Sequence, residues 1–174
     1  MSSRFPRQVV KTLVEAAEHQ RLWRGFGRRY VLPRLEVIHA AGDPLGRWRH
    51  VYPDFSARRQ LERTLEFMWI VVHGRRALGG LMLHPLGSDL FLHTMRVRRP
   101  CRGWGVGGYL LQQVMIAADG QNKAIWLQVL PDNRPALALY RKAGFRECHD
   151  RATLLREGYL TMCRPARNSR HWEG

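Results

Sequence analysis

The 174-residue sequence is poor in cysteine and has no long hydrophobic run. Its three cysteines, Cys101, Cys148 and Cys163, stand singly and form no C-x-x-C pair, which predicts reduced thiols with neither a disulfide framework nor a zinc site. No apolar run approaches the ~18 residues that a membrane-spanning helix needs. The opening residues, MSSRFPRQVVKTLVEAAEHQ, contain no apolar signal core. Together these absences predict a cytoplasmic protein with no metal ion and no membrane partner.

Lysine is also scarce, although the chain is strongly basic. Lys11, Lys123 and Lys142 are its three lysines, so 26 of the 29 basic side chains are arginines. With 14 acidic residues, the formal net charge is +15 at pH 7. A field of this sign favours nucleic acid, phosphorylated cofactors or acidic partners. The arginines are spread along the chain, however, and a solvated arginine-rich surface has the same composition. Charge alone therefore leaves a nucleic-acid partner open.

The sequence contains neither an internal repeat nor a low-complexity linker, so its length predicts one domain, residues 1–174, with its own core. Hydrophobic periodicity and helix caps predict helices over residues 8–24 and 56–66. Between them we expect a strand at residues 29–39, interrupted by Pro33, and a loop at residues 40–53.

From residue 67 the pattern changes to that of a sheet. Short apolar runs separated by turns predict strands at residues 67–73, 77–84 and 90–97. The predicted elements after them are a helix at 109–119, a strand at 124–130, a helix at 135–143, an antiparallel pair at 145–155 and 158–164, and a tail from 165 to 174. This order is typical of the α+β class, with a mixed, mostly antiparallel sheet flanked by helices.

A glycine-rich stretch between the third strand and the next helix carries the strongest chemical signal. Residues 103–108, GWGVGG, fit the dinucleotide fingerprint G-x-G-x-x-G, whereas residues 102–107, RGWGVG, fit R-x-x-G-x-G, a pattern that binds acetyl-coenzyme A. Both kinds of loop hold a pyrophosphate on backbone amides at the start of a helix. Glycines here let the backbone approach phosphates without a clash from Cβ.

The elements around this loop argue against a dinucleotide fold. Three consecutive strands with short turns precede the loop, and only 66 residues follow Gly108, too few for a doubly wound sheet. A Walker phosphate loop is excluded as well, because no Lys-Ser or Lys-Thr pair follows the glycines. Two interpretations remain for the loop, namely a site for acetyl-coenzyme A and a glycine-rich turn that binds nothing.

Two segments in the right order resemble the GNAT superfamily of N-acetyltransferases, over residues 66–164. The first, MRVRRPCRGWGVGGYLL, is similar to that family's strand, pyrophosphate loop and helix. The second, IWLQVLPDNRPALALYRKAGF, is similar to its next strand and helix. The matching residues at the expected spacings are Asn133, Ala136, Leu139, Tyr140, Gly144 and Phe145. Residues 1–65 lie outside the resemblance and are expected to form a divergent acceptor-side part.

The resemblance implies acetyl-CoA as cosubstrate, held in a slot where strands 90–97 and 124–130 splay apart. The backbone of Met95 and Val97 is expected to pair with the pantetheine arm, Asn133 to hydrogen-bond it, and Trp104 to cover the adenine or shield the turn. Arg98, Arg99 and Arg102 supply positive charge beside the phosphates. The residues expected to hold the cofactor are Met95, Val97, Arg102, Gly103, Trp104, Gly105, Val106, Gly107, Gly108, Asn133 and Tyr140.

Acetyl transfer to an amine needs a neutral amine and an acid for the leaving thiolate. The resemblance implies that Tyr140 is this acid. A phenol with a pKa near about 10 can donate a proton to a thiolate of comparable basicity. The alternative for Tyr140 is a tyrosine that only packs over the cofactor.

The general base is less evident from the sequence. The stretch LQVLPDN resembles the L-E-V-x-x-x-N segment of ribosomal-protein N-terminal acetyltransferases, but Gln128 replaces the glutamate, and an amide cannot accept a proton. His93 is the favoured substitute because its pKa lies near working pH. His93 and Asp89 share strand parity with Met95 and Val97 if no bulge intervenes. An α-amine with a pKa near about 8 is also partly neutral without any base.

These inferences predict an N-acetyltransferase that moves an acetyl group from acetyl-CoA directly to an amine. The acceptor stays open among a protein or peptide amine, an aminoacyl-tRNA amine and a small amine. A second class of function also stays open, namely a non-catalytic module on the same fold that senses acetyl-CoA or binds RNA through its arginines. The sequence predicts no oligomeric state.

Overall fold

The computed structural model describes residues 31–53, 65–149 and 156–167. Within them, seven strands form one sheet in the order β1-β2-β3-β4-β5-β7-β6. The elements are β1 Glu36–His39, β2 Met68–His73, β3 Arg76–Leu86, β4 Asp89–Val97, α1 Val106–Gly120, β5 Ile125–Val129, α2 Arg134–Lys142, β6 Arg146–Glu147 and β7 Leu160–Arg164. Only the pairing of β4 with β5 is parallel in this sheet, so the predicted α+β class is confirmed. None of the described helices is long and apolar enough to cross a membrane.

The elements after residue 67 follow the sequence prediction, with two informative differences. Helix α1 begins at Val106 rather than at residue 109. The prediction missed the first turn because its two glycines weaken the helical pattern. Strand β6 covers Arg146–Glu147 of the strand predicted over residues 145–155. Residues 150–155 of that prediction, and residues 168–174 of the predicted tail, lie outside the described residues.

The upstream part differs more from the prediction. Strand β1 covers only Glu36–His39, since Leu32–Arg34, which includes Pro33, forms a 3-10 turn instead. The helices predicted at residues 8–24 and 56–66 lie outside the described residues, apart from the last two positions of the second.

One face of the sheet packs against α1. Leu110, Leu111 and Val114 of this helix are fully buried in the cluster that contains Leu90 and Leu92 of β4. Burial of these five side chains fixes the helix against β4. The start of α1 is thereby placed beside the end of that strand.

Residues 40–53 cover the opposite face of β2 and β3. This segment was predicted as a loop, but it contains the 3-10 helices Ala40–Gly42 and Arg47–His50. Trp48 and Tyr52 are 3% and 1% exposed, within a second core cluster. The sequence did not reveal this contribution because buried residues in a turn-rich segment follow neither helical nor strand periodicity.

Cys148 and Cys163 are joined by a disulfide, so the expectation of reduced thiols is wrong for this pair. Their Cα atoms are 5.9 Å apart. The amide of Cys148 donates to the carbonyl of Thr161 at 3.0 Å and extends the pairing of β6 with β7, which brings the two cysteines together. Single cysteines give no sign of such a register in the sequence. A cytoplasmic location stays a prediction. Cys101 is a buried free thiol.

A β-bulge in β4 decides which of its side chains share a face. Thr94 and Met95 together stand opposite Leu81 of β3, one residue more than regular pairing allows. Thr94 adopts a φ of +53°, in the left-handed region that favours glycine. Because of the extra residue, Met95 packs on the α1 side, whereas the ring of His93 lies on the opposite face. The predicted shared parity of His93 with Met95 and Val97 is therefore wrong.

Candidate active site

A cleft opens where β4 and β5 stop pairing. Their parallel pairing runs from Leu90 with Ile125 to Leu92 with Leu127. Beyond these pairs, residues 93–97 line one wall, and the other wall includes Gln128, Val129 and Leu130. The start of α1 and the first turns of α2 complete a cleft of about 1170 Å³. The slot that the resemblance implied between these strands is therefore present.

The glycine loop places backbone donors at one end of this cleft. Gly103 and Gly105 have φ values of +80° and +91°, which residues with a Cβ rarely adopt. Gly105 is the N-cap of α1, and the first helical hydrogen bond runs from the amide of Tyr109 to its carbonyl at 2.9 Å. The amides of residues 106–108 precede this ladder and have no acceptor within the helix. With the helix dipole they form an anion site of the kind that holds a pyrophosphate.

Close packing behind the loop explains why the first turn of α1 contains glycine. A Cβ on Gly107 would lie 3.3 Å from Cε of Met95 and 3.5 Å from both Val97 Cγ2 and Leu139 Cδ2. Any larger side chain would displace these neighbours or fill the cradle. The predicted residues Met95, Val97 and Gly107 therefore lie together, and the cradle fits a pyrophosphate-bearing cofactor such as acetyl-CoA.

Of two further residues predicted to hold the cofactor, Arg102 lies in the cleft and Trp104 lies in the core. Arg102 lines the cleft, and its Nε donates to the carbonyl of Val97 at 3.1 Å, which holds the guanidinium beside the end of β4. Trp104 is 2% exposed within the core cluster under α1 and does not line the cleft. Trp104 therefore shields the turn and cannot cover an adenine. Arg98 and Arg99 also lie outside the lining, so of the three predicted arginines Arg102 alone reaches the cleft.

Helix α2 brings Tyr140 to the cleft, opposite β4. The Tyr140 hydroxyl donates to Sδ of Met95 at 3.8 Å and so points across the gap between the separated strands. Burial raises the pKa of Tyr140 to about 12. The phenol therefore keeps its proton throughout the neutral range and can act as a donor there.

Asn133 begins α2 and also lines the cleft. Its Oδ1 accepts from the amide of Ala136 at 3.3 Å, which is the usual geometry of a helix cap. The side-chain NH2 group takes no part in this bond. The role implied by the resemblance, a hydrogen bond to the pantetheine arm, stays a prediction.

His93 lines the cleft directly after the last β4 residue that pairs with β5. Its Nδ1 lies 2.7 Å from Oγ1 of Thr94, and its ring centroid lies 4.7 Å from that of His84. Burial, with a smaller contribution from the charge on His84, lowers the pKa of His93. When Nδ1–H donates to Thr94, Nε2 carries the lone pair and can accept a proton.

Asp89, the other predicted base on β4, has a structural role instead. Its Oδ2 accepts from the indole Nε1 of Trp126 at 3.1 Å, and its Oδ1 accepts from the amide of Ala124 at 3.3 Å. These bonds tie β4 to β5 at the end where the two strands are still paired. Asp89 is therefore not available to an acceptor in the cleft.

The charged side chains of the cleft are all cationic among the described residues. They are Arg96, Arg102 and Arg156, and the base position expected from the resemblance is occupied by the amide of Gln128. This lining suits a phosphorylated cofactor and offers no carboxylate base. The part of the chain that the structure describes also has no group of three or more His, Cys, Asp or Glu side chains placed to bind a metal ion.

Sequence reasoning missed two residues at the mouth of the cleft. Arg156 and Tyr159 lie just before β7, and the guanidinium of Arg156 stacks over the Tyr159 ring at 4.5 Å from its centroid. The turn before a terminal strand is not a motif, so only the sheet order β5-β7-β6 reveals that this turn lies beside the splayed strands.

Comparison with known proteins agrees with the fold and the cleft. The model of the acetyltransferase (GNAT) family matches residues 34–145. The chain therefore belongs to the GNAT family of acetyltransferases. The match begins upstream of residue 66 and so includes β1 and the segment 40–53, in which the motifs gave no resemblance.

Three solved structures illustrate how widely the fold is shared at low identity. The ribosomal-protein-S18-alanine N-acetyltransferase from Escherichia coli is 17% identical, with a TM-score of 0.62 over 76% of this chain and 94% of that chain. Ard1 from Thermoplasma volcanium is 18% identical, with a TM-score of 0.60 over 76% and 98%. Arabidopsis thaliana Naa50, in complex with the bisubstrate analogue CoA-Ac-MVNAL, is 18% identical, with a TM-score of 0.59 over 75% and 98%. At these identities the likeness shows the fold alone.

Sequence comparison with curated proteins finds no match to this chain. The comparisons also give no support to the nucleic-acid partner that the net charge of +15 left open.

Proposed function

We propose that this protein transfers the acetyl group of acetyl-CoA to the α-amine of a protein or peptide. The observation that carries the proposal is the arrangement of one cleft. A helix N-terminus built to hold a pyrophosphate lies at one end, and the buried hydroxyl of Tyr140 lies across the gap from β4. His93 lies on the same wall as Met95 but belongs to the opposite face of the sheet. The cofactor and the acceptor amine can therefore approach from different faces.

The residues of the cleft have separate tasks in this reaction. When bound, acetyl-CoA supplies the acetyl group as a thioester. The amides of residues 106–108 and the guanidinium of Arg102 hold the phosphates, and Tyr140 protonates the departing sulfur. Nε2 of His93 accepts the proton that the attacking amine loses on forming the new amide bond. The proton on His93 then returns to solvent, and Tyr140 is reprotonated.

A peptide α-amine is favoured over the other acceptors for two reasons. The segment LQVLPDN resembles that of ribosomal-protein N-terminal acetyltransferases. Of the solved structures with this fold, one is a ribosomal-protein-S18-alanine N-acetyltransferase and another holds the bisubstrate analogue CoA-Ac-MVNAL. An α-amine with a pKa near about 8 also needs only a weak base, which favours it over the side-chain amine of lysine. A histidine with a lowered pKa in the same cleft as Gln128 meets that need without a carboxylate.

Mass spectrometry of products tests this function. The full chain is incubated with acetyl-CoA and a mixture of peptides with free N-termini, peptides with blocked N-termini but free lysines, small amines and aminoacyl-tRNA. We expect acetylation of free α-amines on peptides. Modification of lysine, small amines or aminoacyl-tRNA alone would overturn the peptide acceptor. Binding of acetyl-CoA without any transfer would instead support the non-catalytic module.

The pH dependence of kcat tests the role of His93. A base must be neutral, so kcat should fall as the pH falls through the pKa of His93, which lies below the usual 6.5. We expect His93→Gln to lower kcat by about 10- to 100-fold and to abolish this acidic limb. The measurement is kcat at saturating substrates between about pH 5 and pH 9, the range over which a histidine and an α-amine titrate.

His84→Gln is the matched control for His93. The charge on His84 helps to lower the pKa of His93, so its removal should move the acidic limb to higher pH without abolishing it. An acidic limb that persists unchanged in His93→Gln would rule out His93 as the base.

A further inference from the structure

We propose that Tyr52 is a positioning residue for acetyl transfer, because its hydroxyl holds the β4 bulge on which the cleft depends. This inference rests on the function proposed above. It assigns a task in that reaction to the segment 40–53, which otherwise only covers the sheet.

Tyr52 hydrogen-bonds a backbone carbonyl within the bulge. A bulge leaves one residue outside the ladder of a strand pair, and here Thr94 and Met95 face the single residue Leu81. The Tyr52 hydroxyl donates to the carbonyl of Thr94 at 2.7 Å. Thr94 holds a φ of +53°, which is unfavourable for a β-branched residue, so the bulge needs support from outside the strand.

Tyr52 is itself fixed in place. Its side chain is 1% exposed, and a Cβ on Gly80 of β3 would lie 3.0 Å from Cε2 of its ring, so the ring rests directly on the sheet. The guanidinium of Arg96 lies 5.4 Å from the ring centroid on the β4 side. Burial raises the pKa of Tyr52, so the hydroxyl keeps its proton and remains a donor.

Thr94, the residue whose carbonyl Tyr52 holds, lies in the strand between His93, the proposed base, and Met95, which contacts the proposed acid Tyr140. On one side, Nδ1 of His93 lies 2.7 Å from Oγ1 of Thr94. On the other side, Met95 receives the hydroxyl of Tyr140 at its sulfur. Without the extra residue, His93 and Met95 would share one face of the sheet, because strand side chains alternate. Tyr52 therefore keeps the proposed base and the sulfur that accepts from the Tyr140 hydroxyl on opposite faces of the sheet.

Tyr52→Phe tests this assignment, with Tyr109→Phe as the matched control. Tyr109 also donates its hydroxyl to a backbone carbonyl, that of Leu35 at 3.0 Å, but away from the bulge and outside the cleft lining. We expect Tyr52→Phe to lower kcat by about tenfold, with the KM for acetyl-CoA changed by less than about threefold. Amide hydrogen exchange at residues 93–97 should become about tenfold faster. Tyr109→Phe should produce neither effect, although it also loses one hydrogen bond.

A double-mutant cycle with Thr94→Gly measures the coupling directly. Glycine adopts the +53° conformation without strain, so the bulge should need the hydroxyl less. We expect Tyr52→Phe to change kcat and the exchange rate by less than about threefold in the Thr94→Gly background. Equal effects in both backgrounds, or equal effects of Tyr52→Phe and Tyr109→Phe, would overturn the proposal.

The exchange measurement separates this proposal from the proposed function. If wild type transferred no acetyl group but exchange at residues 93–97 still responded to Tyr52→Phe alone, the function would fail and the support of the bulge would stand. If Tyr52→Phe did not fold, the variant that combines Tyr52→Phe with Thr94→Gly would decide. We expect this double variant to fold, with amide exchange at residues 93–97 within about threefold of that in Thr94→Gly. Failure of the double variant to fold would overturn the proposal.

Discussion

Replacing Tyr140 by phenylalanine should lower kcat by about 100-fold or more, the usual contribution of a general acid. Phenylalanine keeps the aromatic ring, so the packing against Phe145 and the cofactor side of the cleft is preserved. The proton for the departing sulfur is lost, together with the hydrogen bond to Sδ of Met95, which is a weak acceptor. The dissociation constant of acetyl-CoA should therefore stay within about threefold of the wild-type value, because that proton stabilises only the transition state. Steady-state kinetics and calorimetric binding measure the two quantities separately.

Tyr109→Phe is the control for loss of a half-buried, hydrogen-bonded tyrosine hydroxyl outside the cleft. A kcat of Tyr140→Phe within about threefold of that control would leave Tyr140 only a packing role against the cofactor. Since burial raises the pKa of Tyr140 to about 12, we also expect no alkaline loss of kcat from this group at neutral or mildly basic pH.

Replacing Gly105 by alanine should weaken acetyl-CoA binding by about 10- to 100-fold. Gly105 has a φ of +91° as the N-cap of α1. A Cβ in this conformation costs about 1–2 kcal/mol and rotates the following amides away from the pyrophosphate. The dissociation constant of coenzyme A, measured by calorimetry, tests the effect without any acceptor.

Gly87→Ala separates loss of binding from backbone strain. Gly87 has a φ of +60°, no heavy atom lies within 4 Å of the position of its Cβ, and it is located in the turn between β3 and β4, at the other end of β4 from the loop. The control should lose about 1–2 kcal/mol of stability but bind coenzyme A as wild type does. Equal losses of affinity in the two variants would contradict the assignment of the pyrophosphate to the glycine loop.

The order of elements after residue 67 could be predicted from the sequence because it depends on local signals. Alternating apolar runs, turns and a glycine loop before a helix each act over a few residues. The family motifs also fix the spacing of several residues along the chain, so the sequence could predict that they share one cleft. These residues are Met95, Val97, Gly107 and Tyr140. The splay itself follows from the end of pairing between β4 and β5 after Leu92.

The features that could not be predicted depend on contacts between distant segments. The bulge at Thr94 places His93 and Met95 on opposite faces, and its support by Tyr52 joins residues 42 positions apart. The Cys148–Cys163 disulfide depends on the register of β6 with β7. Arg156 and Tyr159 reach the cleft only because β7 lies beside β5. Periodicity carries no information about such pairings.

A crystal structure of the full chain with coenzyme A tests the central claim most directly. The account predicts the pyrophosphate against the amides of residues 106–108, the pantetheine arm along Met95 and Val97, and the sulfur within hydrogen-bond distance of the Tyr140 hydroxyl. Coenzyme A bound outside the gap between β4 and β5, or with its sulfur away from Tyr140, would contradict it.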